Sequence, residues 1–150
     1  MFEPSYISWY TKNMDAFSKN TAYTWYQTLQ KPFFAPPSWL FGVVWSILYP
    51  IIFVSFGLIF YKAFKKKIPS LVIVPFILNL IFNFLFTPIQ FTLKNNLLAS
   101  IDILLVIITL VWGIILIYPY SKKLAYIQIP YLLWGLFATL LQFSITFLNR

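Results

Sequence analysis

From Lys31 onward the chain falls into four long apolar intervals bounded by lysines. No charged residue lies between Lys31 and Lys62, between Lys67 and Lys94, or between Lys123 and Arg150, and Asp102 alone interrupts Lys94 to Lys122. Crossing a hydrocarbon core as a helix takes about 20 apolar residues, and each interval can supply them. The pattern predicts membrane-spanning helices near Trp39–Phe60, Leu71–Phe91, Leu97–Tyr118 and Ile127–Leu148. These segments are apolar nearly all round, whereas helices of a water-soluble bundle keep a polar face. The fold class expected is therefore all-α, an integral membrane helix bundle with four transmembrane helices.

Residues 1 to 30 break the pattern. Glu3, Lys12, Asp15 and Lys19, with many Ser, Thr, Asn and Gln, interrupt every apolar run. The expected organisation is a polar N-terminal segment over 1–30 and a membrane bundle over 31–150. Aromatic residues in the segment (Phe2, Tyr6, Trp9, Tyr10, Phe17, Tyr23, Trp25 and Tyr26) suit a short helix dipping into the interface.

Within the spans, Pro50, Pro75, Pro88 and Pro130 each remove a backbone donor, which membrane helices tolerate when neighbours satisfy the freed carbonyl. A kink is expected at Pro50. Trp39, Tyr61, Tyr118, Tyr120 and Tyr131, near span ends, suit the interfacial aromatic belt. The loop with Lys62, Lys65, Lys66 and Lys67 and the turn with Lys122 and Lys123 fall on one side of a four-span bundle. The positive-inside rule makes that side cytoplasmic or its organellar equivalent.

Composition narrows the chemistry. The chain is 61% hydrophobic and 9% charged, with a net charge of +8. Its cations sit between apolar runs, where they act as topology signals, so nucleic acid is not an expected partner and membrane lipid is. There is no cysteine or histidine, and the carboxylates are Glu3, Asp15 and Asp102. Thiol nucleophiles, Ser/His/Asp relays and zinc or haem ligation by these side chains are excluded, and no metal site or cofactor is expected. Asp102 has two readings: a carboxylate favoured by the helix N-terminal dipole, or a polar anchor inside the bundle.

Polar residues at membrane depth are costly, so their register is informative. In the second span Asn79, Asn83, Phe86 and Gln90 share one helix face. Gly135, Ala138, Thr139, Gln142 and Thr146 form a similar stripe in the last span, and Gly42, Trp45, Ser46 and Tyr49 one in the first. Such stripes serve either as contacts between helices, small residues allowing close approach and amides bonding across, or as the wall of a ligand pocket. Trp45 and Trp134 carry the same two readings.

One stretch is more specific. Trp25-Tyr26, Leu29, Lys31-Pro32, Pro36-Pro37, Trp39, Phe41-Gly42, Val44-Trp45 and Leu48-Tyr49 closely resemble the WYxxLxKPxWxPPxWxFGPVWxxLY signature of the translocator protein (TspO/MBR) family, also called tryptophan-rich sensory proteins or peripheral-type benzodiazepine receptors. Asn83 with Pro88, Ala99 with Asp102, and Pro130-Tyr131 with Trp134, Phe137 and Ala138 resemble later family signatures in the same order. The likeness covers roughly residues 25 to 149. It implies a pocket between helices, capped by the loop before Trp39, that accepts porphyrins, sterols or benzodiazepine-like ligands.

The sequence also departs from the family. Family members normally have five spans, and the polar segment stands where the first would be. Phe34, Val43, Phe86 and Leu98 replace family tryptophans or prolines, and Gln142 replaces an asparagine, which implies a more aliphatic pocket. The ligand-binding residues expected are Trp39, Trp45, Tyr49, Asn83, Phe86, Trp134, Ala138 and Leu141.

The function expected is a multi-pass membrane receptor or carrier of a flat apolar ligand, in a bacterial cell membrane or a mitochondrial or other organellar membrane. The alternative is a structural or regulatory membrane subunit with no ligand of its own. No enzymatic turnover is expected beyond the tryptophan-assisted, light-driven breakdown of bound porphyrin that the resemblance implies. Gly42, Gly57, Gly113 and Gly135 offer close backbone approach, and with the first span missing they lead to an expected homodimer or membrane partner.

Overall fold

A computed structural model of the chain describes residues 21–150, and the interfacial role expected of Phe2, Tyr6, Trp9, Tyr10 and Phe17 lies outside the described residues. All regular secondary structure among the described residues is helical. A short helix α1 (Thr21–Thr28) leads through an extended loop into α2 (Ser38–Phe64). A 3-10 turn (Ser70–Val72), helix α3 (Ile73–Thr87) and a π-helical turn (Pro88–Thr92) form the next segment. Then follow α4 (Asn96–Ile117), α5 (Lys122–Tyr126) and α6 (Ile129–Leu148). Among the described residues four helical segments, Ser38–Phe64, Ser70–Thr92, Asn96–Ile117 and Lys122–Leu148, are long and apolar enough to cross a membrane. They match the four intervals set by the lysines to within a few residues, and the protein is a multi-pass integral membrane protein.

Local chemistry sets the ends of these helices. Asn95 caps α4 by accepting a hydrogen bond from Leu98 N at 2.9 Å, which satisfies one of the donors that a helix start leaves free. At the end of α2, Lys66 adopts a left-handed conformation (φ 56°). Lys67 N then donates to Lys62 O and Lys66 N to Ala63 O, the paired closure of a Schellman turn. Pro75 and Pro130 fall in the first turns of α3 and α6, where a missing donor breaks no helical bond. Pro88 widens the ladder instead, so that Leu93 N bonds to Pro88 O across a π turn. At Pro50 the expected kink does not interrupt the helix: α2 runs unbroken from Ser38 to Phe64.

Helix α4 is the centre of the bundle. Half of its spanning window is buried, against 22–28% in the other three segments. Helices α3 and α6 run antiparallel to it on either side, and α2 contributes the stripe Leu48, Ile52, Phe56, Ile59 and Ala63 to the buried core. Ile68, Val72, Ile117, Leu124 and Ala125 join that core at one end, so the loop with Lys62 to Lys67 and the turn before Lys122 share that end. At the opposite end Gln30 N donates to Asn149 Oδ1 at 2.9 Å and Asn149 Nδ2 donates to Gln30 O at 2.8 Å, tying the loop before α2 to the last turn of α6. The outward faces carry large apolar side chains such as Phe53, Leu58, Ile77, Phe84, Ile108, Leu133 and Phe147, the surface expected of a body solvated by lipid.

Two of the four glycines are consumed inside the chain. A Cβ at Gly113 would meet the Phe76 ring at 2.8 Å, and one at Gly135 would meet Ile107 Cδ1 at 2.7 Å, whereas nothing lies within 4 Å at Gly42 or Gly57. The Phe76 ring is fully buried and wedged edge-on against Phe56 at 4.8 Å, so it has little room to retreat. Ile107 meets Gly135 only with the end of a flexible chain. Alanine in place of glycine favours a helix by up to about 1 kcal/mol, and overpacking a filled core costs about 1–3 kcal/mol. Gly113→Ala is therefore expected to lower the unfolding temperature of the detergent-solubilised protein. Gly135→Ala should leave it nearly unchanged and Gly57→Ala should raise it or leave it unchanged; equal effects at all three sites would refute this account of the α3–α4 contact.

Candidate functional site

A cavity of about 360 Å³ opens among α1, α2, α3, α4 and α6, toward the end where Gln30 meets Asn149. That volume falls within the usual range of small-molecule sites. Its aromatic wall is supplied by Tyr26, Phe41, Trp45, Tyr49, Phe86, Phe91, Tyr131 and Trp134, and no charged side chain lines it. Trp45 stacks on Tyr49 at 4.9 Å and meets Tyr131 edge-on at 6.2 Å. Trp134 is held edge-on by Phe41 at 5.6 Å and leans on Phe137 at 5.4 Å. The Trp134 Nε1 atom is buried and has no hydrogen-bond partner. A buried donor in that condition costs free energy unless an acceptor reaches it.

The cavity floor rests on a polar network that crosses three helices. Asn79 Nδ2 donates to Val106 O at 2.8 Å and to Thr109 Oγ1 at 3.3 Å. Tyr131 Oη donates to Asn79 Oδ1 at 2.9 Å and accepts from Asn83 Nδ2 at 2.7 Å. Tyr49 Oη reaches Asn83 Oδ1 at the long distance of 3.5 Å. A second cluster closes the loop end: Gln142 Nε2 donates to Gln90 Oε1 at 3.0 Å, and Gln90 Nε2 donates to Asn96 Oδ1 at 3.1 Å. Thr146 joins it through Asn96 O at 2.9 Å and the Ser100 hydroxyl at 2.6 Å. Because the amides and hydroxyls satisfy one another, the wall can be apolar without leaving them unpaired.

Seven of the eight residues expected at a site line this one cavity: Trp45, Tyr49, Asn83, Phe86, Trp134, Ala138 and Leu141. Trp39 does not. It is 67% exposed on the outer face of α2, in keeping with the belt position also expected of it. The first-span stripe divides, since Trp45 and Tyr49 reach the cavity while Gly42 and Ser46 face outward. Tyr131 corrects the belt assignment: it is 1% exposed, and its hydroxyl is occupied by two asparagines rather than by the interface. Its spacing from Trp134 and Ala138, on one face of α6, was the available signal. Tyr26, expected at the membrane interface, instead lines the cavity from α1, and Phe91, given no role in the sequence, lines it from the π turn, where no regular period applies. They pack together at 5.8 Å.

Asp102 lies beyond the first turn of α4, where the helix dipole has faded. It is 4% exposed, and its Oδ2 has no hydrogen-bond partner. Among the described residues no group of three or more His, Cys, Asp or Glu side chains could hold a metal ion.

Losing the Tyr131 hydroxyl would leave Asn79 Oδ1 and Asn83 Nδ2 without that partner. Tyr131→Phe is expected to reduce stability by about 1 kcal/mol, the net worth of a hydrogen bond of this kind. Tyr120→Phe, at an exposed position, should have no measurable effect. Reversible unfolding in mixed micelles distinguishes the two, and equal stability of both variants would remove the network from the account of the cavity floor.

The comparisons with known proteins agree with this architecture. The model of the TspO/MBR family matches residues 5–148, beginning well before the Trp25-Tyr26 motif and taking in most of the polar segment. The chain is 40% identical over 127 residues to the tryptophan-rich protein TspO of Bacillus cereus, covering 84% of this chain and 81% of that protein. It is 38% identical over 135 residues to the tryptophan-rich protein TspO of Archaeoglobus fulgidus, covering 89% and 85%. With the human translocator protein it shares 32% identity over 131 residues, 81% of this chain and 72% of that one. With signature residues such as Trp45, Asn83 and Trp134 gathered at one cavity and the match running over nearly its whole length, the chain belongs to the TspO/MBR family.

Proposed function

We propose that the protein is a membrane receptor or carrier that encloses a flat, apolar ligand of the porphyrin, sterol or benzodiazepine-like kind between Trp45, Tyr49, Phe86 and Trp134. The observation that carries this reading is the cavity itself: an aromatic, uncharged chamber with the Trp45 and Trp134 indoles in its wall. Aromatic faces stack on a planar ligand. Relatives named as a translocator protein and a tryptophan-rich sensory protein support a role in binding and signalling or carriage rather than turnover. Association with a second copy or a membrane partner belongs to the same proposal, since Gly42 and Gly57 leave room on α2 for another helix.

Tryptophan-fluorescence titration of the detergent-solubilised protein with protoporphyrin, haem and a sterol tests the reading. Saturable quenching by one of them is expected, and a flat response to all three would favour a structural or regulatory subunit. Trp134→Phe keeps most of the packing volume and removes the donor. It is expected to weaken binding several-fold through lost stacking area, as is Trp45→Phe. Helical circular dichroism should be unchanged in both. Parental affinity in both variants would place the ligand elsewhere.

A further inference from the structure

We propose that the lysine-rich end of the bundle binds a phospholipid whose headgroup carries two phosphates, one held by the loop after α2 and the other by the turn before α5. The loop supplies Lys62, Lys65, Lys66 and Lys67, and the turn supplies Lys122 and Lys123. Both segments are seated on one core. Ala63 and Ile68 belong to the first, Leu124 and Ala125 follow the second, and all four are buried in the same apolar cluster with Val72 and Ile117. Six ammonium groups are thereby gathered round one rim, where like charges repel unless anions lie between them. Among the described residues the sole carboxylate side chain is Asp102, about 20 Å along the helix axis from the last turn of α4. That separation exceeds the screening length of about 8 Å at physiological ionic strength. The described chain leaves the neutralising charge to a partner.

The rings beside these lysines set the depth of the site and identify the partner as lipid. Lys65 Nζ lies 5.8 Å from the Tyr61 ring centroid and Lys122 Nζ 5.7 Å from that of Tyr118, which meets Tyr126 edge-on at 6.0 Å. Tyr61, Phe64, Tyr118, Tyr120 and Tyr126 are all exposed, a girdle of the kind that sits at the headgroup level of a bilayer. Cations resting on those rings are level with lipid phosphate, and the exposed apolar faces of Leu71, Ile115 and Ile127 lie where acyl chains would run. The backbone is set in advance by the Schellman turn at Lys66 and by Ser121 Oγ, which accepts from Leu124 N at 3.4 Å. Binding therefore loses little freedom in ordering the loops. A single phosphate engages the lysines of one segment, whereas a headgroup with two phosphates spans both, as basic pockets between membrane helices allow. Bridging the segments reinforces the closed half of the molecule, where Gln128 Nε2 donates to Ser55 Oγ. The site lies at the opposite end from the cavity and does not depend on what the cavity holds.

The full chain in lipid-free non-ionic detergent is titrated with tetraoleoyl cardiolipin, with dioleoylphosphatidylglycerol at equal phosphate, and with dioleoylphosphatidylcholine. Unfolding temperature and native mass spectrometry report binding and lipid count. Cardiolipin should raise the unfolding temperature and saturate at about one lipid per chain. Phosphatidylglycerol should need about ten-fold more phosphate for the same rise, and phosphatidylcholine should have no effect. Lys65→Gln with Lys67→Gln, and separately Lys122→Gln with Lys123→Gln, should each weaken cardiolipin binding about ten-fold. Lys94→Asn with Arg150→Gln removes two cations from the opposite end and should change it less than about two-fold. Lys122→Arg with Lys123→Arg should retain it. If a glutamine pair fails to fold, the contrast between cardiolipin and phosphatidylglycerol on the parent protein decides. Equal potency of those two lipids at equal phosphate, or an equal loss in the opposite-end pair, would overturn the proposal in favour of diffuse surface charge. Inorganic pyrophosphate as potent as cardiolipin would overturn it in favour of a free anion.

Discussion

The bundle depends on the bond between the Tyr131 hydroxyl and two asparagines of α3. In lipid the hydrophobic effect does not draw helices together, because acyl chains are as apolar as leucine; packing and interhelical hydrogen bonds must do so. Tyr131 donates to Asn79 and accepts from Asn83, and Asn79 reaches on to the α4 backbone at Val106. Three helices are thereby registered at one level. Above that level the helices are held apart by aromatic side chains, and the cavity is the space this leaves.

Close packing takes over on the other side of the network. Phe76 fills the notch at Gly113 and abuts Phe56, so α2, α3 and α4 meet without a gap. Gln128 Nε2 donates to Ser55 Oγ at 2.9 Å in the same closed half. The molecule therefore has a packed half toward the lysine-rich loops and an open half toward the loop before α2. The open half is where the Trp45 and Trp134 indoles and the Tyr26 ring gather.

Much of this was legible in the sequence, for reasons specific to membranes. Charge is excluded from the hydrocarbon so strongly that lysine spacing alone places the spans. Trp45, Asn83, Trp134 and Ala138 could be set inward because helical register and costly polar atoms point the same way. Tyr131 could not be separated from a belt tyrosine by its place near a span end; its shared face with Trp134 and Ala138 pointed inward, and its partners on α3, distant in sequence, supply the reason. Gly42 and Ser46 share a face with Trp45 in projection, yet the boundary between inside and outside runs between them. The part played by Phe91 depends on the irregular π turn that no period encodes, and that of Tyr26 on the way the short helix α1 packs against that turn. The two readings of the polar stripes overlap: Asn79 joins helices, while Asn83, bonded to Tyr131, and Gly135, packed against Ile107, both join helices and line the cavity beside Phe86.

The claim at the centre of this account is that the space above the Tyr131 network holds the ligand. Photo-affinity labelling with a diazirine-bearing protoporphyrin, followed by peptide mapping, addresses it directly. The account predicts labels on cavity residues of α3 and α6, such as Asn83, Phe86, Trp134 and Leu141, and their loss in excess unlabelled protoporphyrin. Labels confined to outward residues such as Phe53, Leu133 and Phe147, undiminished by competitor, would contradict it.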